Sequence, residues 1–253
     1  MPIVAGFNVT PVKSTSLHQP EEIDLRETGA VGDRRFLFVR DDGTRLSGIS
    51  KAPLVRIHAE HDVASDHLRF ALPDGEVVEG TAGPVGDPFE VTLYDRAVHA
   101  HRIDPRFTEA IARTVDETLE VVRVDEPEYA GGMHRVSLLS RASVADLAAR
   151  GGSERLDPRR FRMLVEVEDC DPYEEDGWSG RRVRLGAAIV RVGDGMPRCV
   201  FTTLDPDTGA KDFPTLDVLA EHRKVGADLL LGVYADVERP GIVRVGDELE
   251  VLG

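Results

Sequence analysis

A chain of 253 residues with 46 acidic against 31 basic side chains carries a formal charge of −15. That balance argues against general nucleic-acid binding, which needs a concentrated positive footprint. No apolar run approaches the roughly 18 residues of a membrane-spanning helix, and Met1-Pro2-Ile3-Val4 lacks the basic and long apolar regions of a secretory signal, so a cytoplasmic protein with no membrane partner is expected.

The first hundred residues read as short strands between turns: Ile3 to Val9, Phe36 to Arg40, Leu54 to Glu60, His67 to Leu72 and Phe89 to Tyr94. Asp41-Asp42-Gly43 and Pro73-Asp74-Gly75 supply the turn chemistry. Asp104-Pro105 offers an N-cap with a first-turn proline, and Phe107, Ala110, Ile111 and Val115 recur at helical spacing. A second helix is predicted over Ser143 to Arg150, with Ser143 and Asp146 spaced as a capping box and Gly151-Gly152 at its end. Strands follow near Met163 to Val167, Arg182 to Leu185, Ala188 to Val192 and Val200 to Thr203. A third helix over Thr215 to Arg223 precedes closing strands near Val233 to Glu238 and Glu248 to Leu252. A boundary between halves is expected within residues 95 to 105.

The densest chemical signal is Arg198-Cys199. A thiolate is the best metal ligand and nucleophile among side chains, and an adjacent guanidinium favours that form. A cysteine packed as a small hydrophobe would read the same way. Cations also stand at other strand mouths: Lys13-Ser14, Asp33-Arg34-Arg35 and Arg159-Arg160-Phe161-Arg162. Guanidinium forks bind phosphate and carboxylate bidentately, so several converging on one thiolate would suit an anionic cofactor. Solvated edge charges paired with the abundant carboxylates are the plainer reading of that spacing. Cys170 stands among Glu168, Asp169 and Asp171, which disfavour its thiolate, and reads as structural. His99 and His101 are spaced to chelate a metal but lack a third ligand, which favours a surface pair. Glu174, Glu175 and Asp176 either orient a site arginine or form a solvated acidic turn.

Taken together, the motifs resemble the MOSC domain, named for the C-terminal part of molybdenum cofactor sulfurase, with the β-rich domain that commonly precedes it. The resemblance covers nearly the whole chain and is similar in architecture to the mitochondrial amidoxime-reducing component and its bacterial relatives. It rests on Pro11-Val12-Lys13-Ser14, Asp33-Arg34, Leu139-Ser140 with Ala142 to Leu147, Phe161-Arg162, Cys170 to Trp178, Arg198-Cys199 with Thr202 to Gly209, Gly232-Val233-Tyr234 and Val245-Gly246-Asp247. Three positions depart from the family pattern. Phe161-Arg162-Met163-Leu164 replaces Phe-Arg-Pro-Asn, Arg35 replaces an aromatic residue, and Ser47-Gly48-Ile49-Ser50-Lys51 lacks an Arg-Gln pair.

The resemblance implies a mainly β (α+β) protein: an N-terminal β domain over residues 1–100 packed on a MOSC β-barrel over 101–253, with a few short helices. Molybdenum cofactor (Mo-molybdopterin) would lie in the cleft between them. Cys199 would be both the metal's protein ligand and the catalytic residue. Lys13, Ser14, Arg34, Arg162 and Arg198 would surround the cofactor's phosphate and pterin, with Tyr234 nearby, and His134 is a candidate pocket residue. A soft thiolate suits molybdenum, and a phosphate tail suits charge-assisted donors. The implied activity is that of a molybdenum-dependent oxidoreductase removing oxygen from N-hydroxylated small molecules. No flavin, haem or iron–sulfur motif is evident, so electrons are expected from a separate reductase or redox protein. Two alternatives stand: a sulfurtransferase carrying a persulfide on Cys199, and a carrier that stores the cofactor without turnover.

Overall fold

The protein is mainly β in a computed structural model that describes residues 1–93, 96–125 and 134–252. The strands of its first half are β1 (Ile3–Phe7), β2 (Glu22–Arg26), β3 (Gly29–Ala30), β4 (Phe36–Val39), β5 (Arg45–Leu46), β6 (His58–Asp62), β7 (His67–Ala71), β8 (Val77–Thr81), β9 (Val85–Leu93) and β10 (Arg96–Arg102). Helix α1 (Pro105–Val115) and β11 (Glu120–Val124) follow. The second half holds β12 (Val136–Ser140), α2 (Arg141–Arg150), β13 (Val165–Glu168), β14 (Arg182–Leu185), β15 (Ala188–Pro197), α3 (Thr215–His222), β16 (Lys224–Val225), β17 (Asp228–Arg239), β18 (Gly241–Arg244) and β19 (Leu249–Leu252).

One sheet runs β1-β13-β12-β17-β15-β14-β19 and nearly closes on itself. Ile3 bridges Glu248, and Val4 N–H donates to the Asp247 carbonyl at 2.9 Å, which joins the two ends. Closure removes the exposed edges that an open sheet would present. Side chains alternate across the wall as the strand period of two requires. Leu138 and Val233 point into the barrel core with Val4, Phe7 and Leu249. Leu139, Met163 and Leu231 instead meet Val144 and Leu147 of α2 and Leu219 of α3 on the outside. The parallel pairing of β12 with β13 requires a crossover, and α2 lies within it.

The second body is the sheet β5-β4-β11-β10-β9. The hairpin strands β6-β7-β8 and helix α1 cover one face, enclosing Phe36, Phe38, Phe70, Phe107 and Ile111. Leu37, Val39, Val91 and Val122 are buried on the other face, which explains why all four residues of β4 are apolar and buried. The division expected at residue 100 therefore cuts through β10. Helix α1 and β11 belong to this N-terminal body, whereas β1 is built into the barrel and β2 pairs with β18.

Three local expectations change. Leu54 to Glu60 is not one strand, because Pro53 opens a 3-10 turn over Ala52–Arg56 before β6 begins. Val200–Thr203 is also a 3-10 turn: Thr202 donates its backbone N–H and its hydroxyl to the Cys199 carbonyl, and the Thr203 hydroxyl donates to the Val200 carbonyl at 2.7 Å. Helix α2 starts at Arg141, two residues early, and is capped by Ser140 in place of Ser143, its Oγ accepting from Ala142 and Ser143 N–H. The predicted strand end at Tyr94 lies outside the described residues. Asp104 caps α1 as the sequence indicates, accepting from Arg106 N–H at 3.0 Å.

Candidate active site

Two loops meet at the mouth of the barrel and are locked by hydroxyl and carboxylate acceptors. Thr10 and Thr15 hydroxyls lie 2.7 Å apart and both donate to the Val12 carbonyl, fixing the turn that presents Lys13 and Ser14. Asp33 Oδ1 accepts from Thr10 N–H at 2.8 Å, and Arg34 N–H donates to the Thr10 carbonyl at 2.6 Å. Arg34 adopts a left-handed backbone with φ of 49°, a conformation with a steric cost for a non-glycine side chain. Its guanidinium is ion-paired with Asp33 and donates to the Arg162 carbonyl at 3.0 Å. Arg162 in turn sits at φ 53° beyond the 3-10 turn Pro158–Phe161, which Asp157 caps through Arg159 N–H.

These loops, β5, the end of β15 and β17 enclose a cavity of about 230 Å³. Cys199, Lys13, Ser14, Arg34, Arg162, Arg198 and Tyr234, seven residues drawn from distant parts of the sequence, all line it. So does His134. Cys199 follows the last residues of β15 and is exposed, with its sulfur free of any disulfide. It stands at the junction between β15 and the 3-10 turn Val200–Thr203.

The cavity wall is strongly cationic, and the charges feel one another. Burial pushes the Lys13 ammonium well below its ordinary pKa, and Arg45, Arg34 and Arg162 push the same way while Asp33 opposes them. Arg162 is brought down to about 9, by burial first and then by Arg34, against the opposing pull of Asp33. Its Nη2 is buried with no hydrogen-bond partner, and the guanidinium lies 5.4 Å from the Phe201 ring centroid. A cluster of cations held together at this electrostatic cost is built to receive negative charge.

Arg198 has a different task. Its Nε donates to the Leu231 carbonyl at 2.8 Å, Nη1 to the Phe161 carbonyl at 3.2 Å, and Nη2 to the same Leu231 carbonyl at 2.5 Å. Met163 Sδ is the further neighbour of Nη2, at 2.8 Å. The side chain is buried, with its pKa lowered to about 10 by that burial. Arg198 thus stitches β17 to the loop carrying Arg162 and anchors the backbone just before Cys199. Arg160 is largely held too: Nη1 and Nη2 both donate to Asp212 at 3.0 Å, while its buried Nε has no hydrogen-bond partner.

Tyr234 on β17 stacks against His134, with centroids 4.6 Å apart and planes at 29°. Arg45, Ser47 and Ile49 add a wall that the sequence did not assign to the site. Ser47 to Lys51 stands out in the sequence only as a departure from the family pattern, and the Asp41-Asp42-Gly43 turn brings β5 back beside β4.

The other candidates lie elsewhere. Cys170 is half-buried, donates to Ser140 Oγ at 3.3 Å, and has its pKa raised mainly by burial. Glu175 is fully buried at the start of α2, accepting from Ser140 N–H and the Ser143 hydroxyl, while Asp176 pairs with Arg223. The acidic stretch is therefore not a solvated turn, and its best-buried member supports a helix N-terminus. His101 pairs with Asp125 at 2.9 Å while His99 is exposed. Among the described residues no group of three or more His, Cys, Asp or Glu side chains is placed to hold a metal.

The sequence matches the MOSC domain over residues 125–250 and the MOSC N-terminal beta barrel domain over residues 1–122. The chain belongs to the MOSC family. The division between the two matches falls at the end of β11, in line with the packing of α1 and β11 on the N-terminal sheet. Human mitochondrial amidoxime-reducing component 1 is 32% identical over 288 residues, covering 99% of this chain and 83% of that protein. The zebrafish (Danio rerio) protein of the same name is 35% identical over 277 residues, covering 97% and 83% respectively. Among solved structures, the YUAD protein of Bacillus subtilis shares the fold, with a TM-score of 0.50 and 16% identity over 99% of this chain and 96% of that one.

Proposed function

We propose that this MOSC protein holds molybdenum cofactor in the cavity and reduces N-hydroxylated small molecules with electrons from a separate reductase. The observation that carries this reading is the pairing of one exposed thiol, Cys199, with a cationic wall of Lys13, Arg34 and Arg162, including a buried guanidinium nitrogen that lacks a partner. Cys199 is the only sulfur nucleophile lining the cavity, so a metal bound there must bring its remaining ligands with it. A pterin dithiolene does so, and its phosphate answers the unpartnered cation. Relatives named as amidoxime-reducing components support the same reading.

When bound, the cofactor supplies a two-electron redox centre beside the substrate. The chain's own residues do the rest. Cys199 ligates the metal through a soft thiolate. Lys13, Ser14, Arg34 and Arg162 hold the anionic tail, and Arg198 keeps Cys199 and Arg162 in register through the carbonyls it ties together. Net chemistry is cleavage of one N–O bond, with two electrons and two protons yielding the N–H product and water. The protein, purified from a host that makes the cofactor, is expected to convert an N-hydroxylated amidine to the amidine with a chemical reductant, in proportion to its molybdenum content. Loaded protein without turnover would reject the reaction. Absent molybdenum with a cyanide-labile sulfur on Cys199 would favour sulfur transfer instead.

A further inference from the structure

N–O cleavage consumes two protons, and the cationic wall is poorly suited to give them. Guanidinium groups do not release protons near neutral pH. Asp33 is engaged by Arg34 and by Thr10 N–H. Arg198 and Arg160 are spent on carbonyls and on Asp212. Lys13, although burial and its cationic neighbours push its ammonium down, belongs to the cluster with Arg34, Arg45 and Arg162 that the reading above assigns to the anionic tail.

His134 is the one imidazole among the described residues lining the cavity. It is placed as a working acid–base group is placed. Nδ1 is 3.0 Å from Asp236 Oδ2, so the carboxylate fixes the tautomer with the proton on Nδ1 or holds the imidazolium. The ring is held flat against Tyr234, itself a cavity residue, which fixes the second orientation angle. Tyr234 and Asp236 are two apart on β17 and so project from one face of the strand, gripping the ring from the same side. The side chain is 27% exposed, open enough to exchange its proton with solvent between turnovers. Such an oriented His–carboxylate pair is the usual arrangement for general acid catalysis.

We propose that His134, positioned by Asp236, is the proton donor of this site. The proposal rests on the reductive reading above. The substrate N–O bond breaks, its hydroxyl oxygen, which already carries one hydrogen, takes a proton from His134 and leaves as water, and the nitrogen takes the second proton from solvent or a second pass of the same imidazole. The electron pair comes from the external reductant through the cofactor, and solvent reprotonates the imidazole.

The test uses the molybdenum-loaded protein with an N-hydroxylated amidine and a chemical reductant. His134→Phe preserves the stack on Tyr234 but carries no proton, and His134→Ala leaves room for added imidazole. Both are expected to retain wild-type molybdenum content and thermal midpoint while kcat falls about 100-fold or more with little change in KM. Imidazole in solution should restore part of the His134→Ala rate and none of the Cys199→Ala rate. Asp236→Asn should give a smaller kcat loss with molybdenum retained. A His134→Phe protein within about twofold of the wild-type kcat overturns the assignment. So does a variant whose activity falls only in step with lost molybdenum, since that marks a cofactor-holding residue. Wild-type protein that is loaded but inactive overturns the reductive reading itself, a pattern distinct from either.

Discussion

Replacing Arg162 with Gln should stabilise the cofactor-free protein and weaken its hold on anions. Burial and the neighbouring Arg34 bring this guanidinium down to about 9, and its Nη2 has no partner. Because the folded-state pKa lies below the unfolded one, the folded chain binds fewer protons between about pH 9 and the ordinary guanidinium range. The charged form therefore costs stability in full at pH 7, and the cost eases as pH rises through about 9. At about 1.4 kcal/mol per unit, the whole shift gives an upper bound near 5 kcal/mol. Solvent at the cavity mouth screens much of it, and the contact with the Phe201 ring, worth about 0.5–1 kcal/mol, is lost with the charge. A net gain of about 1–2 kcal/mol remains, which at about 2–4 °C per kcal/mol is readable by calorimetry. Thermal midpoints of cofactor-free wild type and variant should differ clearly at pH 7, and the gap should begin to narrow only above about pH 9, with most of it still present at pH 10. Titration with inorganic phosphate should show at least about tenfold weaker binding, as loss of a charge-assisted bond implies. A lower midpoint at pH 7, or unchanged phosphate affinity, would refute the reasoning.

Arg198→Lys should act on the fold before it acts on charge, since one ammonium cannot reach both the Leu231 and Phe161 carbonyls. A loss of about 1–3 kcal/mol in denaturant unfolding of the cofactor-free protein is expected, with phosphate affinity changed less than in Arg162→Gln. Gly232→Ala should cost at least about 2 kcal/mol by the same measurement. Its φ is +70°, and a Cβ there would lie 2.6 Å from the Leu138 carbonyl oxygen. Cys170→Ala should cost at most about 1–2 kcal/mol and keep amidine-forming activity, because its half-buried thiol donates only to Ser140 Oγ.

The parts of the fold legible in the sequence were those written in local chemistry. Asp104-Pro105 announced α1, and the apolar run from Phe36 announced a strand, whose burial on both faces the structure then showed. What stayed hidden depended on partners far along the chain. β2 is polar at both ends and exists because β18 pairs with it, and β12 borders the barrel between two strands from later in the sequence. The Val200–Thr203 turn misled for another reason: its β-branched composition suits a strand, but hydroxyl bonds back to the chain win locally. At the site, the motif residues were legible one by one. Their roles were not equally so, since only the packing shows Arg198 spent on carbonyls, while Arg162 keeps a donor unpaired. Arg45 carries no motif and Ile49 lies where the family motif is lost, so both are placed in the site by the return of β5 beside β4.

The central claim is that Cys199 binds the molybdenum of a cofactor seated against Lys13, Arg34 and Arg162. Molybdenum-edge X-ray absorption on wild type and Cys199→Ser, both purified from a cofactor-producing host, tests it most directly. The account predicts about one molybdenum per wild-type chain with a protein sulfur in its ligand shell, and a Cys199→Ser protein that either loses the metal or shows one sulfur fewer. An identical sulfur shell in both proteins at equal molybdenum content would contradict it.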